Sequence, residues 1–196
     1  MIKYVLVNII TGLSLIFGLV AIIFVMRGFF YYSFGFALLA MMTDSLDGYL
    51  ARLLKGESRF GSIFDTIADI VVYLLYPAAA LYFTFGLNKI IGIFFIIIFV
   101  AAGIYRLVKF TANGFLVLGE KKYYIGMPVF FSHIMILLLM FLSLYNKSLP
   151  QIIAPLLLIM ISIMMITKYK FRKPEGVPLI VSLIFVLGLV IFMFNI

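Results

Sequence analysis

Asp44-Ser45-Leu46-Asp47-Gly48-Tyr49-Leu50-Ala51-Arg52, followed after eight residues by Gly61, after three more by Asp65 and after another three by Asp69, is the stretch on which the reading of this chain turns. It puts four carboxylates into segments that are otherwise apolar. The residues before it, Phe29–Met42, and after it, Ile70–Phe85, are almost free of charge. An ionisable group within a membrane span is costly and points to function by default. Whether these segments are spans is decided by the rest of the chain. Its 196 residues are 66% hydrophobic and 11% charged, and its mean hydropathy is +1.29. Soluble domains hold roughly 45–50% apolar and about 25% charged residues, so the medium this chain folds in is lipid.

A helix needs about 20 apolar residues to cross a hydrocarbon core of about 30 Å. Seven runs approach that length: 9–26, 29–50, 62–85, 89–107, 127–145, 150–167 and 177–195. The expected fold is therefore an all-α, multi-pass membrane protein forming one domain over residues 1–196. No small-residue cleavage site follows the first run, which is expected to be a retained span. If the amino terminus is cytoplasmic, alternation places twelve of the fifteen basic residues on the cytoplasmic side and leaves Arg27, Lys89 and Lys147 outside. That bias is the signature of orientation in a cell membrane. It also accounts for the net charge of +8 without nucleic acid as a partner. All seven acids fall on the same cytoplasmic side under this topology.

Asp44 and Asp47 are three residues apart and Asp65 and Asp69 four, so each pair occupies one helix face. The linker 52–60 is short, which makes the two helices antiparallel neighbours and lets the pairs face each other. No basic residue lies in the same apolar stretches to pair with them. Divalent cations would supply the missing charge, and four carboxylates at one point suit two metals about 3.5–4 Å apart. The chain has no cysteine and only one histidine, His133, so thiolate and multi-histidine sites are excluded. Hard cations with oxygen ligands, magnesium, manganese or calcium, remain. Gly48, Ala51 and Gly61 would allow close approach of a helix or a phosphate. Arg52 can hold a phosphate bidentately, and Ser58 is a hydroxyl at the mouth.

With its spacing intact, the stretch resembles the signature of the CDP-alcohol phosphotransferases, D-x2-D-G-x2-A-R-x8-G-x3-D-x3-D, with every fixed position matched from Asp44 to Asp69. The resemblance implies a six-helix catalytic core, to which the seventh run adds a C-terminal span, and a homodimer. It implies Asp44, Asp47 and Asp65 as ligands of a first magnesium or manganese ion and Asp44, Asp65 and Asp69 as ligands of a second. Asp69 resembles the general base. Gly48, Ala51, Arg52, Ser58 and Gly61 fall where the family contacts a CDP-linked lipid such as CDP-diacylglycerol or CDP-archaeol. Asn8 and Thr11, in Asn8-Ile9-Ile10-Thr11, are similar to the family's N-x-x-T segment near the nucleotide. Capping of the first helix is the other reading of that pair.

The segments Tyr105-Arg106-Leu107-Val108-Lys109-Phe110 and Tyr124-Ile125-Gly126-Met127-Pro128 resemble the branch that accepts L-serine. Val108, Lys109 and Met127 depart from its usual residues. Tyr73-Leu74-Leu75-Tyr76 stands where an aromatic-glycine step is common. In this reading Arg106 and Lys109 supply positive charge to a phosphate or to the serine carboxylate, although both could equally be topology anchors. Glycerol 3-phosphate or an inositol phosphate are the alternative acceptors. A carboxylate-lined cation transporter is the alternative from another class. His133 is read as a packing or headgroup residue, and Lys121, Lys122 and the 168–173 cluster as lipid-facing anchors.

Overall fold

The computed structural model describes residues 2–54, 58–119, 121–172 and 177–195. The chain is almost wholly helical and divides into two compact units, 1–72 with 174–196, and 73–173.

In the first unit, α1 (Ile2–Met26) and α2 (Phe30–Leu54) form a hairpin. The turn closes at Gly28, whose φ of +82° a side chain would disfavour. The two helices pack through small residues: Ala21, Ala37 and Ala40 are fully buried. Two hydroxyls cross the seam, Ser14 to the Ala40 carbonyl at 3.0 Å and Ser33 to the Ala21 carbonyl at 2.7 Å. A lipid-embedded pair has no hydrophobic force holding it together, and close backbone approach with interhelical hydrogen bonds supplies the attraction instead. α3 (Arg59–Ile70) is capped by Ser58, whose Oγ accepts from the Gly61 N–H at 2.9 Å. It packs on α1, where Gly12 makes room for Phe64 and Gly18 for Val72. The last helix, α8 (Val177–Phe194), lies on α2. There Phe194 fills the notch at Gly35, tilted against Tyr32 and edge-on to Phe36.

The second unit contains α4 (Tyr76–Phe83), α5 (Ile90–Asn113), α6 (Phe131–Tyr145) and α7 (Leu149–Ile166). α7 packs on α5 and α6, and α4 reaches both. Phe99, Ile136, Leu139 and Leu158 are completely enclosed. Leu74 fills the space left by Gly103.

All seven apolar runs are helical. Among the described residues, four helices have the length and composition to cross a membrane, Lys3–Met26, Phe60–Phe83, Ile90–Asn113 and Leu149–Ile166. The expectation of an all-α multi-pass membrane protein holds, with local differences. α1 begins at Ile2, seven residues earlier than read, so Asn8 and Thr11 lie two to three turns inside it and cap nothing. The Thr11 hydroxyl instead bonds back to the Val7 carbonyl at 3.2 Å. The run read as one helix from 62 to 85 passes through a π-helical turn, Val71–Leu75, before α4. Pro77 lacks the N–H that would bond the Tyr73 carbonyl, and widening the preceding turn accommodates the loss. α6 starts at Phe131 rather than Met127, after Pro128.

A small sheet was not expected at all. β1 (Leu116–Leu118), β2 (Lys121–Ile125) and β3 (Lys170–Arg172) pair antiparallel in the order β1-β2-β3. Leu116 lies opposite Tyr123, and Tyr123 opposite Arg172. The sheet joins the connection after α5 to the one after α7. Gly126, at φ +79°, donates its N–H to the Tyr169 carbonyl at 2.9 Å, and a Cβ there would collide with the Met165 carbonyl. Only glycine fits that crossing.

Candidate functional site

α2 and α3 are amphipathic in the inverted sense a lipid environment demands. On α2, Leu46, Tyr49 and Leu53 are exposed, while Asp44, Asp47, Gly48 and Ala51 turn inward to varying degrees. On α3, Phe60, Ile63 and Ile67 are exposed, and Asp65, Ala68 and Asp69 are covered wholly or in part. The polar faces of both helices therefore point at protein.

Three of the four aspartates converge. One carboxylate oxygen from each of Asp44, Asp47 and Asp65 lies within 4.8 Å of the other two. Asp47 is 3% exposed. The Thr11 hydroxyl and the Gly48 backbone reach its carboxylate, yet its Oδ2 is buried without a hydrogen-bond partner. A buried charged oxygen left unsatisfied is expensive. Three carboxylates at this separation, one of them carrying a buried oxygen with no hydrogen-bond partner, match the donor set of a hard divalent cation. Asp69, one turn beyond Asp65 on α3 and half-buried, is not in the group of three.

The loop end of the same face collects other residues read from the sequence. A Cβ at Gly61 would stand 3.0 Å from the Ser58 Oγ and 3.1 Å from the Asn8 Oδ1. Asn8 of α1, Ser58 and Gly61 thus share one spot, with Thr11 one turn further along α1, beside Asp47. Ser58 is the cap of α3, a role the motif spacing did not reveal. Arg52 lies in the last turn of α2; its side chain lies outside the described residues.

The segments that resembled the serine-accepting branch meet in the second unit. Arg106 is 4% exposed near the carboxyl end of α5. Its guanidinium stands over the rings of Phe110, at 5.0 Å, and Tyr124, at 5.4 Å. Cation–π contact of this kind compensates part of the cost of burying the charge. Lys109 is half-buried and lies over Tyr105 at 5.7 Å. His133 is buried edge-on to Tyr73 and tilted against Tyr76, in keeping with its reading as a packing residue.

Fold and site together define a multi-pass membrane protein with a carboxylate cluster contributed by α2 and α3, suited to a divalent cation. Comparison with known proteins supplies the family. The sequence pattern of the CDP-alcohol phosphatidyltransferases matches residues 4–186, and the chain belongs to that family of enzymes. It is 35% identical over 164 residues to the CDP-diacylglycerol–serine O-phosphatidyltransferase of Methanocaldococcus jannaschii, covering 84% of this chain and 72% of the relative. Enzymes of the same name from Helicobacter pylori strain J99 and Saccharomyces cerevisiae are 30% and 33% identical over 127 and 99 residues. Those matches take in 53% and 36% of the relatives' lengths. The likeness of 104–128 to the serine-accepting branch agrees with these relatives.

Proposed function

We propose that this protein transfers the phosphatidyl group of CDP-diacylglycerol, or the archaetidyl group of CDP-archaeol, to the hydroxyl of L-serine and releases CMP. The observation that carries the reading is the convergence of Asp44, Asp47 and Asp65, with the Asp47 Oδ2 buried and unsatisfied. These three carboxylates would hold magnesium or manganese, with Asp69 joining Asp44 and Asp65 at a second ion. When bound, the cations neutralise charge on the pyrophosphate and on the departing CMP.

The chain's own residues do the rest. Asn8, Thr11, Ser58 and Gly61 line the approach to the carboxylates, with Gly48 and Ala51 on the adjoining face of α2, and bind the CDP end of the lipid, with Arg52 on a phosphate. Asp69 accepts the proton of the serine hydroxyl. The serine oxygen forms a bond to the lipid-bearing phosphorus as the bond from that phosphorus to the CMP oxygen breaks. The resemblance implies that Arg106 and Lys109 supply positive charge to a phosphate or to the serine carboxylate. The whole chain works as one catalytic domain and, as the resemblance implies, a homodimer, with the amino terminus and site cytoplasmic. The distribution of basic residues supports that orientation.

The test is to purify the protein and supply CDP-diacylglycerol, magnesium or manganese, and L-serine, glycerol 3-phosphate or an inositol phosphate in turn. CMP release with serine alone supports the proposal. Release only with another alcohol overturns the acceptor and keeps the chemistry. No release with any of them, from CDP-diacylglycerol or CDP-archaeol, overturns the reading.

A further inference from the structure

The chain's positive charge is concentrated in one unit. Residues 73–173 hold ten basic residues and a single acid, Glu120, which lies outside the described residues. The sheet arranges part of this charge on one surface. Side chains alternate across a strand, and the registers place Lys121, Tyr123 and Ile125 of β2 on the same face as Arg172 and Lys170 of β3 and Leu118 of β1. Lys121, Lys170, Arg172 and Leu118 on this face are exposed. The opposite face is occupied: Tyr124 packs on Phe110 and Phe115, and Phe171 on Phe131 and Tyr169. The Tyr124 and Phe171 part of one face is therefore covered by aromatic packing, while the other face presents cations. Because the strands follow the ends of α5 and α7 and precede α6, the sheet stands at the level where spans leave the bilayer.

Cations interleaved with tyrosine and aliphatic side chains at that level match a headgroup layer. The aromatic and aliphatic groups sit at the acyl boundary and the ammonium and guanidinium groups among phosphates. A topology anchor needs only loose basic residues. Here residues some fifty positions apart are paired into one surface, with Tyr123 directly opposite Arg172 and Ile125 opposite Lys170. We propose that this outer face of the β1-β2-β3 sheet is a binding surface for the headgroups of anionic phospholipids in the leaflet at that end of the helices. The surface is independent of the aspartate site, and failure of either reading leaves the other standing.

The test uses the full chain in nanodiscs of phosphatidylcholine alone or with phosphatidylglycerol as one third of the lipid. Amine labelling of individual lysines is followed by mass spectrometry. Lys147, exposed in the connection between α6 and α7, lies at the other end of these helices and experiences the same surface potential from the opposite leaflet. It is the internal reference. Lys121 and Lys170 are expected to label about threefold more slowly, relative to Lys147, in the anionic discs. Equal slowing of all three lysines would show a general surface effect and overturn the proposal. As a second measurement, phosphatidylglycerol retained on detergent extraction is compared for wild type, Lys121→Gln/Lys170→Gln/Arg172→Gln, and Lys121→Arg/Lys170→Arg. Loss in the first variant with retention in the second supports the surface. Wild-type retention in the first overturns it.

Discussion

Asp47→Asn separates a metal ligand from a structural carboxylate, because the two roles move stability in opposite directions. With ligand oxygens of Asp44, Asp47 and Asp65 within 4.8 Å of one another, each ionised pair repels by about 3.5 kcal/mol at an effective dielectric constant of about 20. Neutralising Asp47 removes two of the three pairwise repulsions. Even if solvent and proton sharing reduce the gain to about 1–2 kcal/mol, the metal-free variant should melt roughly 2–8 °C above metal-free wild type. Metal reverses the order. At a concentration 100 times its dissociation constant, a cation stabilises wild type by about 2.7 kcal/mol, whereas a variant with affinity lowered 100-fold gains about 0.4 kcal/mol. The assay is thermal unfolding in detergent, in chelator and across a magnesium or manganese titration, with CMP release measured in parallel. The expected result is a higher melting temperature without metal, a flattened metal response and lost activity. A variant that melts lower in chelator and keeps the full metal-dependent shift would refute the reasoning, since Asp47 would then be a structural group.

Asp69→Asn should lower CMP release by about 10²–10⁴-fold, the usual worth of a general base, while retaining part of the metal-dependent rise in melting temperature; release at near wild-type rate removes Asp69 from that role. Ser58→Ala takes away the cap that accepts from Gly61 and should cost about 1 kcal/mol of stability, which Ser58→Asp restores in thermal unfolding. Gly126→Ala combines positive φ with collision against the Met165 carbonyl, whereas Gly119→Ala meets positive φ with nothing nearby. The first should lower the melting temperature clearly more than the second, whose cost is about 1–2 kcal/mol, and equal shifts would mean that the crossing is not tight.

What could be read from the chain before its structure divides along a physical line. Helices in lipid are local objects: each satisfies its own backbone, so an apolar run announces its span. The i, i+3 and i, i+4 spacings announced which carboxylates share a face. The convergence of Asp44 and Asp47 with Asp65 followed from those spacings and a short linker, and the residues matching the family motif were assigned with it. Asp69 marks the limit. Spacing placed it on the face of Asp65, but reach into a cluster depends on how α3 crosses α2, which no spacing encodes. The sheet was invisible for a stronger reason. Its strands are three, five and three residues long, too short to show an alternating pattern, and β3 pairs with β2 across some fifty residues. Such pairing is fixed by where α5 and α7 end together. Gly126 is the exception that shows the rule: its likeness to a family segment was legible, yet the reason glycine stands there, a crossing over the Met165 carbonyl, exists only once the sheet and α7 are both in place.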